Sequence, residues 1–267
     1  MRNILVLLLL FLCFLVEAQT KMVSWNVRDF GASKSEETVA FIADALIDYD
    51  IVAIQEVVAG YGGAQAVAKL ADELNRRGTK WDYTISDPTN SSAYRTERYA
   101  FLWRTAKVKK IGKAWLEQKF KIEIDREPFM CTFEIEGKRL TVANFHAITK
   151  KMQPETEIKY FKYLPETYPK LNLVFVGDFN CPQSHTVFNP LKKMGYYPVF
   201  QNQKTSLRQE CFNNDCLASE YDNIYYHNSK IQLIESKALL FFEELESLIE
   251  ARKVSDHIPI SMEFEIN

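Results

Sequence analysis

In this 267-residue chain the side chains able to do chemistry stand where apolar runs stop. Asn26 ends a short apolar stretch, Gln55-Glu56 end another, and Asn144 and His146 flank Phe145. Asp178 and Asn180 follow Leu173-Val174-Phe175-Val176, Asp222 follows Tyr221, and Asp256-His257 open the last stretch. A carboxylate after a strand is ordinarily a solvated loop residue or a helix cap, so no single one carries weight. Sheets gather strand ends along an edge, however, and α/β proteins place their sites on such rims. As a set, Glu56, Asp178, Asp256, Asn26 and Asn180 are oxygen donors suited to Mg²⁺ or Mn²⁺ and ill suited to zinc or copper, which leaves histidines to move protons. A hard cation with imidazoles and carboxylates matches phosphodiester or phosphomonoester hydrolysis, in which the metal neutralises charge and a carboxylate or histidine orients water. Other chemistries lack their parts: there is no G-x-S-x-G elbow, no P-loop and no dinucleotide fingerprint.

The elements that must hold these groups alternate along the chain. Strand patterns cover residues 22–26, 51–54, 81–86, 99–104, 128–135, 140–145, 173–176 and 221–226, and a strict alternation of apolar and polar residues marks 258–266. Helical spacing occurs at Val39, Ile42, Ala43, Leu46 and Ile47, and again at Ala64, Val67, Ala68, Ala71 and Leu74. Further helices are predicted over 155–168, from about residue 185, and over 239–252, while Glu136-Gly137 turns a hairpin. No repeat, low-complexity linker or domain boundary interrupts the pattern, so the expectation is one α/β unit spanning 19–267.

Thirty-three Lys and Arg against thirty-five Asp and Glu leave a net charge of −2, so no global positive field gathers a polyanion and any phosphate partner must be held locally. Residues 3–16 form an apolar run behind Arg2, and Val16-Glu17-Ala18 match a signal-peptidase site, which predicts cleavage after Ala18. The run falls short of the roughly 20 apolar residues that span a bilayer, so the mature chain is expected to be secreted or periplasmic, without an anchor. Export permits disulfides. Cys131 alternates with Phe129 and Phe133 and reads as a buried thiol. Cys211 and Cys216 flank the turn-rich Phe-Asn-Asn-Asp and can pair locally, with Cys181 as a competing partner for either.

Eight ordered segments resemble the endonuclease/exonuclease/phosphatase superfamily and, within it, secreted deoxyribonuclease I-like enzymes. They are Ser24-Trp25-Asn26-Val27-Arg28, Asp50-Ile51-Val52-Ala53-Ile54-Gln55-Glu56-Val57, Glu97-Arg98-Tyr99, Arg126-Glu127-Pro128, Asn144-Phe145-His146, Gly177-Asp178-Phe179-Asn180, Tyr221-Asp222-Asn223-Ile224 and Ser255-Asp256-His257-Ile258-Pro259. The resemblance implies an α/β (α+β) four-layer sandwich, two mixed β-sheets packed face to face with helices on the outer faces. It implies that Glu56, helped by Asn26 and Asp256, holds Mg²⁺ or Mn²⁺. It places Asp178 and Asn180 beside the attacked phosphate, pairs His146 with Glu97 and His257 with Asp222, and gives Arg126 a phosphate-facing guanidinium. Its activity would be metal-dependent endonuclease cleavage of DNA leaving 5′-phosphate ends, by a monomer.

The pattern also departs from the family. Val58 stands where the family has a DNA-reading Arg, and Arg95 with Tyr94 beside it replaces a groove-contacting Tyr. Gln118-Lys119-Phe120-Lys121 replace the acidic, cysteine-bearing loop tied to structural Ca²⁺, and Lys119, Lys121, Lys150 and Lys151 offer local phosphate contacts. Two alternatives share these residues: a phosphatase or phosphodiesterase of the same superfamily acting on a phospholipid or inositol phosphate, and a catalytically inactive binding protein of the same fold. The inactive form would lack a metal Glu, the G-D-F-N Asp or a histidine, and none is missing.

Overall fold

The computed structural model describes residues 19–91 and 95–267. The predicted signal segment 1–18 and Tyr94 lie outside the described residues. Two six-stranded sheets pack face to face. The first runs β13 (Ile231–Ala238), β14 (Ile260–Ile266), β1 (Thr20–Phe30), β2 (Ile51–Val58), β4 (Glu97–Arg104), β3 (Trp81–Ile85). The second runs β5 (Lys109–Leu116), β6 (Phe129–Ile135), β7 (Lys138–His146), β8 (Leu173–Asp178), β12 (Asp222–His227), β9 (Tyr196–Pro198). Each sheet is mixed in the same way: one parallel pair, β1 with β2 and β7 with β8, sits among antiparallel neighbours. A separate hairpin joins β10 (Leu207–Phe212) to β11 (Asp215–Leu217).

Three apolar layers hold the stack. Met22, Ile51, Phe101 and Met262 of the first sheet meet Phe133, Val142, Val176 and Ile224 of the second in a shared core. The outer face of the first sheet is covered by helices α1 (Glu36–Leu46) and α2 (Tyr61–Arg76). Short helical turns cover the outer face of the second. Strands buried on both faces cannot alternate, which is why Ile51-Val52-Ala53-Ile54 and Leu173-Val174-Phe175-Val176 are continuous apolar runs, all of them 0% exposed.

Helix α1 follows its pattern: Ser35 caps it by accepting from the Thr38 N–H, and Val39, Ile42, Ala43 and Leu46 are buried. In α2 the buried stripe is Gly63, Ala66, Val67, Leu70, Ala71 and Leu74, rotated from the predicted Ala64 and Ala68, because Gly63 sits where a Cβ would lie 1.9 Å from the Val58 carbonyl oxygen. The helix predicted over 155–168 is broken into Glu155–Ile158, a 3₁₀ turn at Phe161–Tyr163 and Leu164–Thr167. Pro165 stands in the first turn of the last piece, where its ring forbids continuation from the preceding turn. The helix predicted over 239–252 is likewise a 3₁₀ turn, Phe241–Glu244, and a helix Leu248–Val254 restarted by a Ser247 cap. The helical start near 185 is a 3₁₀ turn at Thr186–Phe188, for which the His185 ring accepts from the Val187 N–H, followed by Asn189–Lys193.

Cys211 and Cys216 form a disulfide across the β10–β11 turn, with Cα atoms 4.1 Å apart, while Cys131 and Cys181 are free and buried. The Glu136-Gly137 turn has both residues at positive φ, the twist that a tight two-residue hairpin requires.

Gly177 holds β8 against β7. At φ +132° its absent Cβ would lie 1.9 Å from the Phe145 carbonyl oxygen. Gly177→Ala is expected to lower the unfolding free energy by about 2–4 kcal/mol, read as a lower urea midpoint at unchanged slope. An unchanged midpoint would mean that the two strands separate freely at this point.

Candidate active site

The two parallel pairs end at the same rim. Asn26 of β1 lies in register with Gln55 of β2, and His146 of β7 with Asp178 of β8. The Asn26 amide crosses from one sheet to the other, donating to Glu56 Oε1 at 3.0 Å and to Asp178 Oδ2 at 3.1 Å. Glu56 itself sits at a register shift between β2 and β4 with φ 58°. A left-handed Glu in a bulge is disfavoured, and such residues survive where a side chain must be re-aimed. Ser255, fully buried, clasps the last loop to β1: its hydroxyl donates to the Asn26 carbonyl at 2.6 Å and accepts from the His257 N–H.

Two imidazoles face Asp178 from opposite sides. His257 Nδ1 lies 2.7 Å from Asp222 Oδ2, and its Nε2 lies 3.6 Å from Asp178 Oδ2. His146 Nδ1 lies 3.0 Å from both Glu97 oxygens, and its Nε2 lies 3.4 Å from Asp178 Oδ2 and 3.9 Å from Glu56 Oε1. The paired carboxylates thus fix both rings with Nε2 inward. Asp178 is 1% exposed and also accepts from the Asn180 N–H at 2.8 Å. Asn180, at φ 48°, donates from its amide to the Ala147 carbonyl at 3.1 Å.

The two histidines are pushed in opposite directions. Burial alone would lower His257, but Asp222 and Asp178 outweigh it and hold its pKa well above the usual imidazole value. His146 is pushed down to about 4 by burial and the neighbouring Arg126 guanidinium, against Asp178 and Glu56. Burial also pushes Glu97 up to about 7 despite Arg126, and raises Asp178 despite His257. Near neutrality His257 is an imidazolium and His146 a neutral ring.

These groups open into a cleft of about 590 Å³. Glu56, His146, Asp178, Asn180, Asp256 and His257 line it, with Arg28, Arg95, Thr149 and Val58 on its walls. For a hard cation the fit is chemical. Glu56 and Asp256 offer carboxylates, and Asn26 Oδ1 is a buried oxygen without a hydrogen-bond partner because the amide nitrogen faces both carboxylates. Asp256 is shared with Arg252 at 3.3 Å. A second close group, Asp178, Asp222 and His257, has donor atoms within 4.8 Å of one another. Its ring faces a carboxylate at each nitrogen and is held protonated, whereas a metal ligand must be neutral imidazole.

Arg126 departs from the picture of a free phosphate clamp. Its Nε donates to the His146 carbonyl at 2.9 Å, one terminal nitrogen to Glu97 Oε2 at 3.0 Å, and the other to the Ala147 carbonyl. It lines the cleft as a buried strut with three of its five N–H donors engaged. Arg95 pairs with Asp125 at 3.5 Å on the cleft wall. Arg98 donates to the Ala59 and Ser86 carbonyls.

Sequence reasoning missed Thr205. Fully buried, its hydroxyl donates to Asp222 Oδ2 at 2.6 Å and accepts from the Asp222 N–H at 2.9 Å, so it orients the carboxylate that orients His257. No local pattern marks it. Tyr99 is fully buried, and its hydroxyl accepts from the His146 N–H at 3.2 Å.

The family model described as Endonuclease/Exonuclease/phosphatase family matches residues 23–257. The chain is 27% identical to a protein named deoxyribonuclease from Thioalkalivibrio sp., over 98% of this chain and 75% of that one. It is 26% identical to deoxyribonuclease gamma of Homo sapiens, over 99% of this chain and 92% of that one. Among solved structures, the human Nocturnin catalytic domain with bound sulfate superposes with a TM-score of 0.68 at 16% identity, over 93% of this chain and 95% of that one. The mannosyl-6-phosphatase of Bacteroides thetaiotaomicron superposes with a TM-score of 0.68 at 20% identity, over 92% and 99%. At these identities the two structures speak for the fold. With eight motif segments in order, two mixed sheets meeting at one rim and the family model spanning nearly all the described residues, the chain belongs to the endonuclease/exonuclease/phosphatase family.

Proposed function

We propose that residues 19–267 form one exported domain, freed of residues 1–18 by cleavage after Ala18, that acts as a monomeric, divalent-metal-dependent endonuclease on DNA. The carrying observation is the pair of oppositely biased histidines on either side of Asp178, above Glu56. In this reading Asp178, made more basic by burial, orients the attacking water and accepts its proton. The water oxygen bonds to phosphorus and the bond to the 3′ oxygen breaks, leaving a 5′-phosphate. His257, as imidazolium, donates from Nε2 to a phosphoryl oxygen or to the departing 3′ oxygen. Neutral His146, steadied by Glu97 and braced by Arg126 behind it, and Asn180 contact the other phosphate oxygens, while Arg95, with Tyr94 beside it in sequence, bounds the strand. Mg²⁺ or Mn²⁺ held by Glu56, Asn26 and Asp256 would neutralise charge on the phosphate. The deoxyribonuclease relatives support DNA as substrate. No described helix is long and apolar enough to cross a membrane.

The test is a supercoiled-plasmid assay with the purified mature chain in Mg²⁺, in Mn²⁺ and in chelator. Nicking then linearisation that requires metal, with 5′-phosphate ends, is the expected result. A folded chain that cleaves neither plasmid, single strands nor RNA would overturn the reading. Turnover of phosphorylated lipids or inositols would then identify the superfamily's phosphatase chemistry.

A further inference from the structure

On the outer face of the second sheet, three rings form a cluster away from the reacting centre. Phe120 lies 5.7 Å from Tyr160 and 6.0 Å from Tyr163, the latter nearly parallel at 26°. Phe120 and Tyr160 are rooted in the apolar layer beneath, and Tyr163 sits 40% exposed beside them. Every ring adjoins a lysine in sequence. Lys119 and Lys121 flank Phe120, Lys159 has its Nζ 5.1 Å from the Tyr160 centroid, and Lys162 has its Nζ 4.7 Å from that of Tyr163.

The charges of these loops are sorted by depth. Glu117, fully buried, turns inward to accept from the Lys119 and Phe120 N–H groups and the Tyr168 hydroxyl. Glu157 turns inward to accept from the Asp125 and Ile148 N–H groups. The lysines stay outside: the lysine ion pairs among the described residues belong to Lys21, Lys69, Lys107, Lys204, Lys237 and Lys253, and none to this surface. Glu123 and Glu166 are its exposed acids. A chain of net charge −2 therefore carries a local excess of uncompensated cations over flat rings.

The surface also adjoins the cleft. Thr149 is on the cleft wall, the turn Lys150–Met152 follows at once, and Glu157 ties the next segment back to Ile148. We propose that the Phe120–Tyr160–Tyr163 cluster and its lysines are a second nucleic-acid contact, which holds a single-stranded segment of the substrate outside the catalytic cleft. Phosphates would lie on the lysines and a base on Tyr163, the combination by which sequence-tolerant single-strand sites work. The ligand class rests on the nuclease reading above. Ile122, 90% exposed between these lysines, is what an anionic bilayer would take; the flat rings and the path from the cleft favour a nucleic acid strand.

The test uses the full mature chain in chelator, so that binding is read without cleavage. A labelled single strand of about thirty nucleotides, longer than the ~4–16 that one such site covers, is titrated by anisotropy at several salt concentrations. The fourfold variant Lys119→Glu, Lys121→Glu, Lys159→Glu, Lys162→Glu is expected to weaken binding by about 100-fold and to flatten the dependence of log K on log salt by about 3, near 0.7 per lost contact. Tyr163→Ala is expected to cost about tenfold. With metal restored, both variants should turn over a small chromogenic phosphodiester as the wild type does. Strand binding unchanged in both variants would overturn the proposal. So would phosphatidylserine vesicle binding lost in Ile122→Ser alongside strand binding that ignores the lysines, which would make the surface a membrane contact. A wild type that cleaves no nucleic acid would count against the nuclease reading, while the titration still decides this contact.

Discussion

His257→Ala is expected to lower kcat by about 10³–10⁴-fold with little change in KM, and Asp222→Asn by about 10²–10³-fold. The reason is geometric and electrostatic together. Asp222, 2.7 Å from Nδ1, is the foremost of the carboxylates that keep His257 charged, and it turns the ring inward, so the amide weakens the bias toward the imidazolium and the hold on the ring. Because the two act as one unit, the double variant should be no slower than His257→Ala alone. Steady-state kinetics on plasmid and on a short duplex, with circular dichroism to verify folding, measures this. Multiplying losses would mean that Asp222 acts apart from His257, and a loss under tenfold in His257→Ala would remove His257 from the reaction.

Glu56→Gln is expected to cost about 10³-fold in kcat and to abolish the heat of Mg²⁺ binding in titration calorimetry. The substitution keeps shape, the bulge and the hydrogen bond from Asn26, and removes the charge that a hard cation needs together with the acceptor for the Asp29 N–H. The apo protein should be as stable as the wild type or slightly more so, since a carboxylate near Asp178 is neutralised. Mg²⁺ binding of wild-type strength in this variant would assign the cation elsewhere, with Asp178 and Asp222 the next donors to replace.

How far such a site can be read from sequence depends on which interactions are local. The strands that carry it were legible because burial on both faces leaves an unbroken apolar run ahead of Glu56 and ahead of Asp178. Among the edge strands β3 was legible, whereas β5 and β13 were not, because they mix polar and half-buried residues without a continuous face. Helices were legible where apolar spacing and caps agreed, as in α1, and overextended where Pro165 or Ser247 restarts the chain within an apolar stretch. The families of polar residues could be collected from sequence, but their partners could not. Asn26 meets Asp178 across 152 residues, and Thr205 reaches Asp222 only because an isolated bridge at Ser206 and His257 lays that segment along the last loop. Arg126 shows the converse: its motif was legible, while the backbone carbonyls that absorb its donors depend on the turn after β7.

The order of strands in the first sheet bears on biosynthesis. β1, which carries Asn26, takes β14 as one neighbour, with Thr20 opposite Phe264. Half of the rim is thus assembled from the first and last described strands, and His257 follows Asn26 by 231 positions in sequence. A chain emerging from the ribosome from its N-terminal end, at about 5–20 residues per second, has neither a closed first sheet nor its imidazolium until His257 and β14 have been made. Pairings this distant also form late in folding. On the nuclease reading proposed above, such a topology delays the hazard to the cell that makes the chain, because a product stopped before residue 257 lacks His257 and the strand that closes the first sheet.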